Sequence, residues 1–585
     1  MEREAKTPRD FSKIGCFYND FGKAITSYEE DPRLMKITRH WVVWMVLAAM
    51  LVVTACSSNN DGKQSEPSAK ASEQASLAGG QEGQAEAIDP YRLPEPVEFT
   101  TFKSVGANSK LPEGDTVENN QYTRYLKEKS NITAKILWYA SGNDYDQKSK
   151  LAIGSGDIPD VLLVDEQTFR TLAAAGQLED LTDVYGKYKA PLTEELFAST
   201  DGKALEKATI KGKLMAIPNI AVQADAASML FVRQDWLDKL GLEGPKTVAD
   251  IEKIAKAFVD NKMGGEGTIG LTSDTLDVPG KAGRHNLKGL FEAYNAYPGN
   301  WLKDGSGNLV YGSILPETKT ALGKIRDMYL AGLIDKEFAL RKDKDEPVIS
   351  GKAGMFFGPW WSGGVLRDTY KNFPDANFGV YMIYDDQGKL NNLKVPVSQK
   401  FIVVKKGYKH PEAAIVYANN YIRFERRAEP DSLKLDTQVS TEFWPIGNAT
   451  YDYADAVERK STELADALAG KVKPEDLRPE MKQLYDFAMA DKAAPRVDLV
   501  GWAKFYGYTE PAEMLKLPMN NLFNEFTTST KTMDRKWANL KKLEEEAFYQ
   551  IVMGKKPLDS FDQFVSDWKS QGGDEIVKEI EAEVQ

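Results

Sequence analysis

Ile158-Pro159-Asp160-Val161-Leu162-Leu163-Val164, running into Asp165-Glu166, is the stretch on which the fold turns. Four apolar residues follow one another without a polar break, after a turn at Gly154-Ser155-Gly156. An alternating strand has one wet face; an unbroken apolar run has both faces covered, and this predicts a buried strand of parallel type inside a layered α/β domain. Ligands of such sheets sit beyond the carboxyl ends of the strands. Asp165 and Glu166 stand at that end and are candidate polar contacts at a cleft, the other use for them being a solvated turn or a helix cap.

The segments on either side agree. Residues 97–102 alternate as a strand does, 120–129 read as a helix, 134–138 as a second strand and 145–153 as a helix. Strands alternating with helices predict an α/β domain with a mostly parallel sheet. A second α/β stretch opens near 228–232, and a helix capped by Thr247, with Asp250 three residues on, runs to about 259. Further apolar segments continue through Tyr381. The last eighty or so residues are helical, with Trp537, Leu540, Leu543, Ala547 and Ile551 at helical spacing. The chain shows no heptads and no solenoid repeat.

A chain of 585 residues exceeds the ~250–300 at which a single core stops growing, so more than one core is expected. The net charge is −12, and no basic stripe gathers Lys and Arg, which argues against a nucleic-acid partner. His40, His285 and His410 are far apart, leaving little material for a histidine metal site or a catalytic triad. Cys16 and Cys56 have neither metal spacing nor a disulfide framework. No nucleophile elbow, P-loop or zinc motif is present. A two-carboxylate glycosidase stays conceivable, but 87 acidic residues would supply a pair in almost any fold. The expectation is a non-enzyme without cofactor or metal.

From Met35 the chain reads as a short basic segment, an apolar run from Trp41 through Val53, and Thr54-Ala55-Cys56. This is the layout of a secretory signal, and the run is short of the ~20 apolar residues that span a bilayer. Val53-Thr54-Ala55-Cys56 resembles the bacterial lipobox, which implies a signal peptide over 35–55 and lipid on the Cys56 thiol. Residues 56–95, rich in Ser, Gly, Gln, Ala and Glu up to about Asp89, read as a disordered tether. Residues 1–34 mix acidic and basic side chains and fit no signal; they are expected to be a non-native extension, with translation starting at Met35.

Five stretches of the body resemble extracellular solute-binding family 1, and within it the long LipO-like binding lipoproteins: 148–165 (KSKLAIGSGDIPDVLLVD), 211–218 (KGKLMAIP), 233–247 (RQDWLDKLGLEGPKT), 351–361 (GKAGMFFGPWW) and a C-terminal stretch within 537–579 containing IVMGKKPLDSFDQFVSDWKSQGGDEIVKE. The resemblance implies a two-lobe, periplasmic-binding-protein-like fold of type II, α/β, with discontinuous lobes joined by hinge strands. Lobe 1 would take 96–220 with 400–460, lobe 2 would take 221–399 with 461–585, and the crossings fall near 218–223 and 395–404. It further implies a monomeric sugar-binding component of an ABC importer, lipid-anchored outside the cell membrane. Its partners would be a permease pair with a separate ATPase. A non-carbohydrate solute such as a peptide, or a role as a ligand-presenting sensor, is the alternative reading.

Sugars present apolar C–H faces ringed by hydroxyls, so a site needs aromatic planes with carboxylates or amides. Trp360 and Trp361 in Gly358-Pro359-Trp360-Trp361 lead the candidates, since the family's matching tryptophan faces sugar. Asp165, Glu166, Asn219, Trp301, Trp444 and Trp502 complete the set, while Trp138 is expected to pack and Tyr139 ends the same strand. Some long relatives carry an EF-hand-like loop where this chain has Asp260-Asn261-Lys262-Met263-Gly264-Gly265-Glu266. That loop lacks the alternating oxygen ligands of a calcium loop, and 304–308 has spaced oxygens but no Gly at the sixth position and no bidentate Glu at the twelfth, so no calcium is expected at either.

Overall fold

The computed structural model describes residues 88–585 except 107–108, 275, 277–282, 342, 436–438, 448 and 585. The expected extension, the signal segment, Cys56 and the tether before residue 88 lie outside the described residues.

In the first lobe, strands Val97–Ser104 and Ile132–Ala140 pair in parallel, with Val97 opposite Ile132. Helix Gln121–Ser130 connects them. Asn120 closes its N-terminus: the amide oxygen accepts from the backbone N–H groups of Tyr122 and Thr123, and the Thr123 hydroxyl accepts from Asn120 N–H. Helix Gly142–Gly154 then leads to strand Val161–Asp165. Asp160 pins that strand to its neighbour, its carboxylate accepting from the Thr100 N–H at 2.8 Å and the Thr100 hydroxyl at 2.6 Å.

The apolar run is therefore a buried strand, but its ladder is antiparallel. Lys400–Val404 pairs with it, Val404 opposite Val161, and also runs antiparallel to Ile217–Pro218. The expected mostly parallel sheet is corrected to a parallel pair, Val97–Ser104 with Ile132–Ala140, and a separate antiparallel sheet of three strands. An unbroken apolar run reports burial of both faces, not the direction of a partner, and here the partner is chain returning from the second lobe rather than a βαβ neighbour. The core of the first lobe gathers residues from Leu93 to Ala224 and from Phe401 to Val457.

The second lobe is built on four strands in the order Phe378–Tyr381, Met229–Arg233, Ala353–Gly358, Ile269–Thr272. Side chains alternate across this sheet as the pleat requires. Leu230, Val232, Met355 and Phe357 face one core, which takes Ile251, Ile254 and Phe258 from helix Val248–Asp260 and Leu540, Phe548 and Ile551 from helix Lys531–Val552. Met229, Phe231, Phe356 and Phe378 face the other, closed by Leu464, Met481, Trp502 and Phe505 from three further helices. Thr247 and Asp250 form the expected reciprocal cap on Val248–Asp260.

Three segments pass between the lobes side by side. Asn219 N–H donates to Lys400 O at 2.8 Å and Ala221 N–H to Val397 O at 2.9 Å, joining the first crossing to the return. Ile220 N–H donates to Thr450 O at 3.1 Å and Gln223 N–H to Ala454 O at 2.8 Å, joining it to a third crossing. Within that crossing Asp452 accepts from Arg426, which follows helix Glu412–Glu425 of the first lobe, and from Lys460 on helix Ala456–Leu468 at 2.7 Å. Glu480 accepts from the same two cations, at 3.3 and 2.7 Å. Among the described residues no helix is long and apolar enough to cross a membrane.

Candidate functional site

A cavity of about 490 Å³ opens between the lobes beside the hinge. Asp165, Glu166 and Gln167 line it from the end of strand Val161–Asp165, Trp301 and Trp537 from the second lobe, and residues 394–396 and 398–399 from the returning chain. Asn286, Asn300, Gln399, Asn524, Thr527 and Ser529 add amides and hydroxyls. The rings of Trp301 and Trp537 lie 6.1 Å apart at 25°. Trp301 opens a hairpin, strands Trp301–Lys303 and Leu309–Tyr311, and its backbone N–H donates to the Asn524 side-chain oxygen at 3.0 Å. Trp301, only 3% exposed and packed on Tyr311, and Trp537 thus border the same space as the hydrogen-bonding groups, and a polyhydroxylated solute needs apolar planes and such groups together.

Asp165 and Glu166 both reach the cavity. Asp165 also caps helix Glu166–Ala174, accepting from Thr168 N–H at 2.8 Å. Glu166 is held by Lys207 at 2.7 Å and Arg170 at 3.0 Å, and accepts from the Thr527 hydroxyl of the opposite lobe at 2.8 Å. Gln167 donates across the same gap to Asp534 at 3.4 Å. Glu166 therefore clasps the two lobes together.

Gly358 and Pro359 line the cavity, whereas Trp360 and Trp361 stand beside it and reach it through a residue that the sequence reading missed. Asp225 lines the cavity and accepts from both indole N–H groups, Trp360 at 2.9 Å and Trp361 at 3.2 Å. Burial pushes the Asp225 carboxyl above its ordinary range, against the pull of the two indoles. Trp360 leans on Tyr508, centroids 5.1 Å apart; Trp361 is 38% exposed with the Arg284 guanidinium over its ring. The available signal was a lone acid in the apolar hinge exit Ala221-Val222-Gln223-Ala224-Asp225-Ala226-Ala227.

Three candidates lie elsewhere. Asn219 is a hinge clamp: its side-chain oxygen accepts from the N–H groups of Gln399 and Lys400, and its carbonyl from the Ser398 hydroxyl. Trp444 is 0% exposed inside the first lobe, ringed by Tyr421 at 5.0 Å, Phe424 at 5.2 Å and Tyr122 at 5.4 Å. Trp502 is buried against Tyr506 at 4.5 Å and Tyr370 at 5.1 Å. Both indoles are core residues, Trp444 of the first lobe and Trp502 of the second. Trp138 stacks on Phe102 at 4.3 Å, and Tyr139 is exposed.

The two loops weighed for calcium use protein groups on their oxygens. The Lys352 ammonium donates to the carbonyls of Gly264 and Glu266, at 3.0 and 2.8 Å. Asp304 accepts from Ser306 N–H, Asn308 N–H and the Asn308 side chain. Among the described residues no cluster of three His, Cys, Asp or Glu could hold a metal.

Two lobes, three crossings and a lined gap at the hinge define the geometry, and residues 108–423, more than half of the chain, match the model of the bacterial extracellular solute-binding protein family. The chain belongs to that family. Lipoprotein LipO of Bacillus subtilis is 22% identical to this binding protein over 474 residues, covering 76% of this chain and 85% of its own. The polygalacturonan/rhamnogalacturonan-binding protein YtcQ of the same bacterium is 22% identical over 479 residues, 78% of this chain and 86% of its own. Among solved structures, the Streptococcus pneumoniae substrate-binding protein FusA in complex with kestose superposes with a TM-score of 0.55 at 18% identity, covering 83% of this chain and 99% of the other. The fold is thus that of the solute-binding proteins, α/β with two lobes.

Proposed function

We propose that this solute-binding protein captures an oligosaccharide outside the membrane and delivers it to the permease pair of an ABC importer. The observation that carries the reading is the inter-lobe cavity, which Trp301 and Trp537 line together with amide and hydroxyl groups. YtcQ and FusA, named for polygalacturonan/rhamnogalacturonan and fructooligosaccharide, support a sugar over a peptide. The lobes, 96–220 with 400–460 and 221–399 with 461–585, rotate about the three crossings, each hinge taking up the change in a few backbone torsions. Asp165 meets ligand hydroxyls, Trp301 stacks on sugar, Glu166 clasps the closed form, and Trp360 and Trp361 hold Asp225 at the wall. The protein acts as a monomer without cofactor or catalysis, and a separate ATPase drives transport. Cys56 carries lipid after removal of 35–55, and the acyl chains hold the body at the membrane surface.

Isothermal titration against a panel of plant and bacterial oligosaccharides tests this. At least one sugar should bind at one site per chain and be recovered uncleaved. Binding of peptides but no sugar, or release of shorter sugars, would overturn it.

A further inference from the structure

Lys394 follows strand Leu390–Leu393, where the chain turns back into the hinge, and lines the cavity. Its backbone is fixed, N–H to Leu522 O at 2.8 Å. Among the described residues its ammonium makes neither a hydrogen bond nor an ion pair. Burial holds its pKa below the ordinary lysine value, opposed by the charge of Glu458 and reinforced by that of Lys288. Burial likewise raises the Glu458 carboxyl, opposed by the charge of Lys394.

The other charged groups of the cavity are occupied. Lys288 donates to Ala226 O and, at 3.3 Å, to Leu393 O, and pairs with Glu292 at 3.1 Å. Glu166 is held by two cations and a hydroxyl, Asp225 by two indoles, and Asp165 caps a helix. An ammonium losing water without gaining an anion is disfavoured, and closure on a ligand removes water from this gap. An anion carried by the ligand would supply that partner.

We infer that the cargo is an oligosaccharide bearing an anionic group, a carboxylate or a sulfate ester, which pairs with the Lys394 ammonium. This rests on the oligosaccharide reading above and narrows it to acidic sugars. A charge-assisted hydrogen bond to an ammonium is among the stronger non-covalent contacts, and its loss corresponds to about ten- to hundredfold in affinity.

The test titrates the unaltered protein, Lys394→Gln and Lys394→Arg with trigalacturonate, trimannuronate, the methyl esters of both, maltotriose and 6-O-sulfated maltotriose. At least one anionic sugar should bind about tenfold or more tightly than its neutral counterpart. Lys394→Gln should lose about ten- to hundredfold on that sugar, abolishing its preference over the neutral counterpart, and Lys394→Arg should keep most of the affinity. Carboxylate and sulfate are separated by which arm responds. Equal binding of neutral and anionic forms, or an unchanged Lys394→Gln, overturns the inference and leaves the oligosaccharide reading intact. Failure of every sugar overturns both.

Discussion

Trp444→Ala is expected to destabilise the protein by about 3–5 kcal/mol, the range for a large aromatic removed from a well-packed core. The indole is 0% exposed and its ring meets five others, those of Tyr122, Tyr125, Tyr417, Tyr421 and Phe424. Four of the five contacts are edge-to-face, which adds to the area buried. Those neighbours come from helices Gln121–Ser130 and Glu412–Glu425, far apart in sequence, so they cannot collapse into the void without moving a helix. Urea unfolding followed by circular dichroism measures the loss, and the transition of the first lobe should shift. Calorimetry of the fraction still folded should give unchanged ligand affinity. A small stability change with lost binding would return Trp444 to the cleft.

Asp452→Ala should have an effect of the same size by a different route. The carboxylate accepts from Arg426 and Lys460 in nearly dry surroundings, and removing one member of a buried pair costs about 3–5 kcal/mol because the remaining charges stay buried. Glu480 still accepts from both cations, which limits the loss without cancelling two charges. Burial alone would raise the Asp452 pKa; the charges of Arg426 and Lys460 outweigh it and hold the group below its ordinary value. The stability it contributes is therefore present at neutral pH and is lost as pH falls through that lowered value. Urea midpoints of Asp452→Ala and the parent protein should differ widely at pH 7 and converge in acid. A difference that does not vary with pH would contradict the ionised assignment.

Much of this was legible in the sequence because local physics decided it. The run 161–164 had to be buried, the Thr247 and Asp250 pair had to start a helix, and the spacing of Trp537, Leu540 and Ile551 had to present one apolar face. The antiparallel ladder to Lys400–Val404 was not legible, since both strands would look the same in either direction. The third crossing around Thr450-Tyr451-Asp452-Tyr453 carries no apolar periodicity and shows itself only through backbone hydrogen bonds to Ile220 and Gln223.

The site divided along the same line. Asp165, Glu166 and Trp301 were placed at the cavity by strand ends and turns that the sequence reveals. Trp444 and Trp502 were chosen on residue type, and an indole suits a core as well as a sugar. Asp225 and Lys394 escaped notice because a single charge becomes informative only when its surroundings are known to be dry. Asn219 sits next to the cleft in sequence, yet its side chain is committed to the backbone of Gln399 and Lys400.

Across the mouth the lobes are tied by the Thr527–Glu166 and Gln167–Asp534 hydrogen bonds, each contributing only about 0.5–3 kcal/mol. Contacts this weak allow an empty protein to open and a bound sugar to hold it shut. Small-angle X-ray scattering, run without ligand and with a saturating oligosaccharide identified by titration, reads that motion directly. The radius of gyration should fall on binding, with the two profiles diverging at the angles set by lobe separation. Superimposable profiles at full occupancy would mean that the lobes do not move around the solute, and the trap would be the wrong description of this protein.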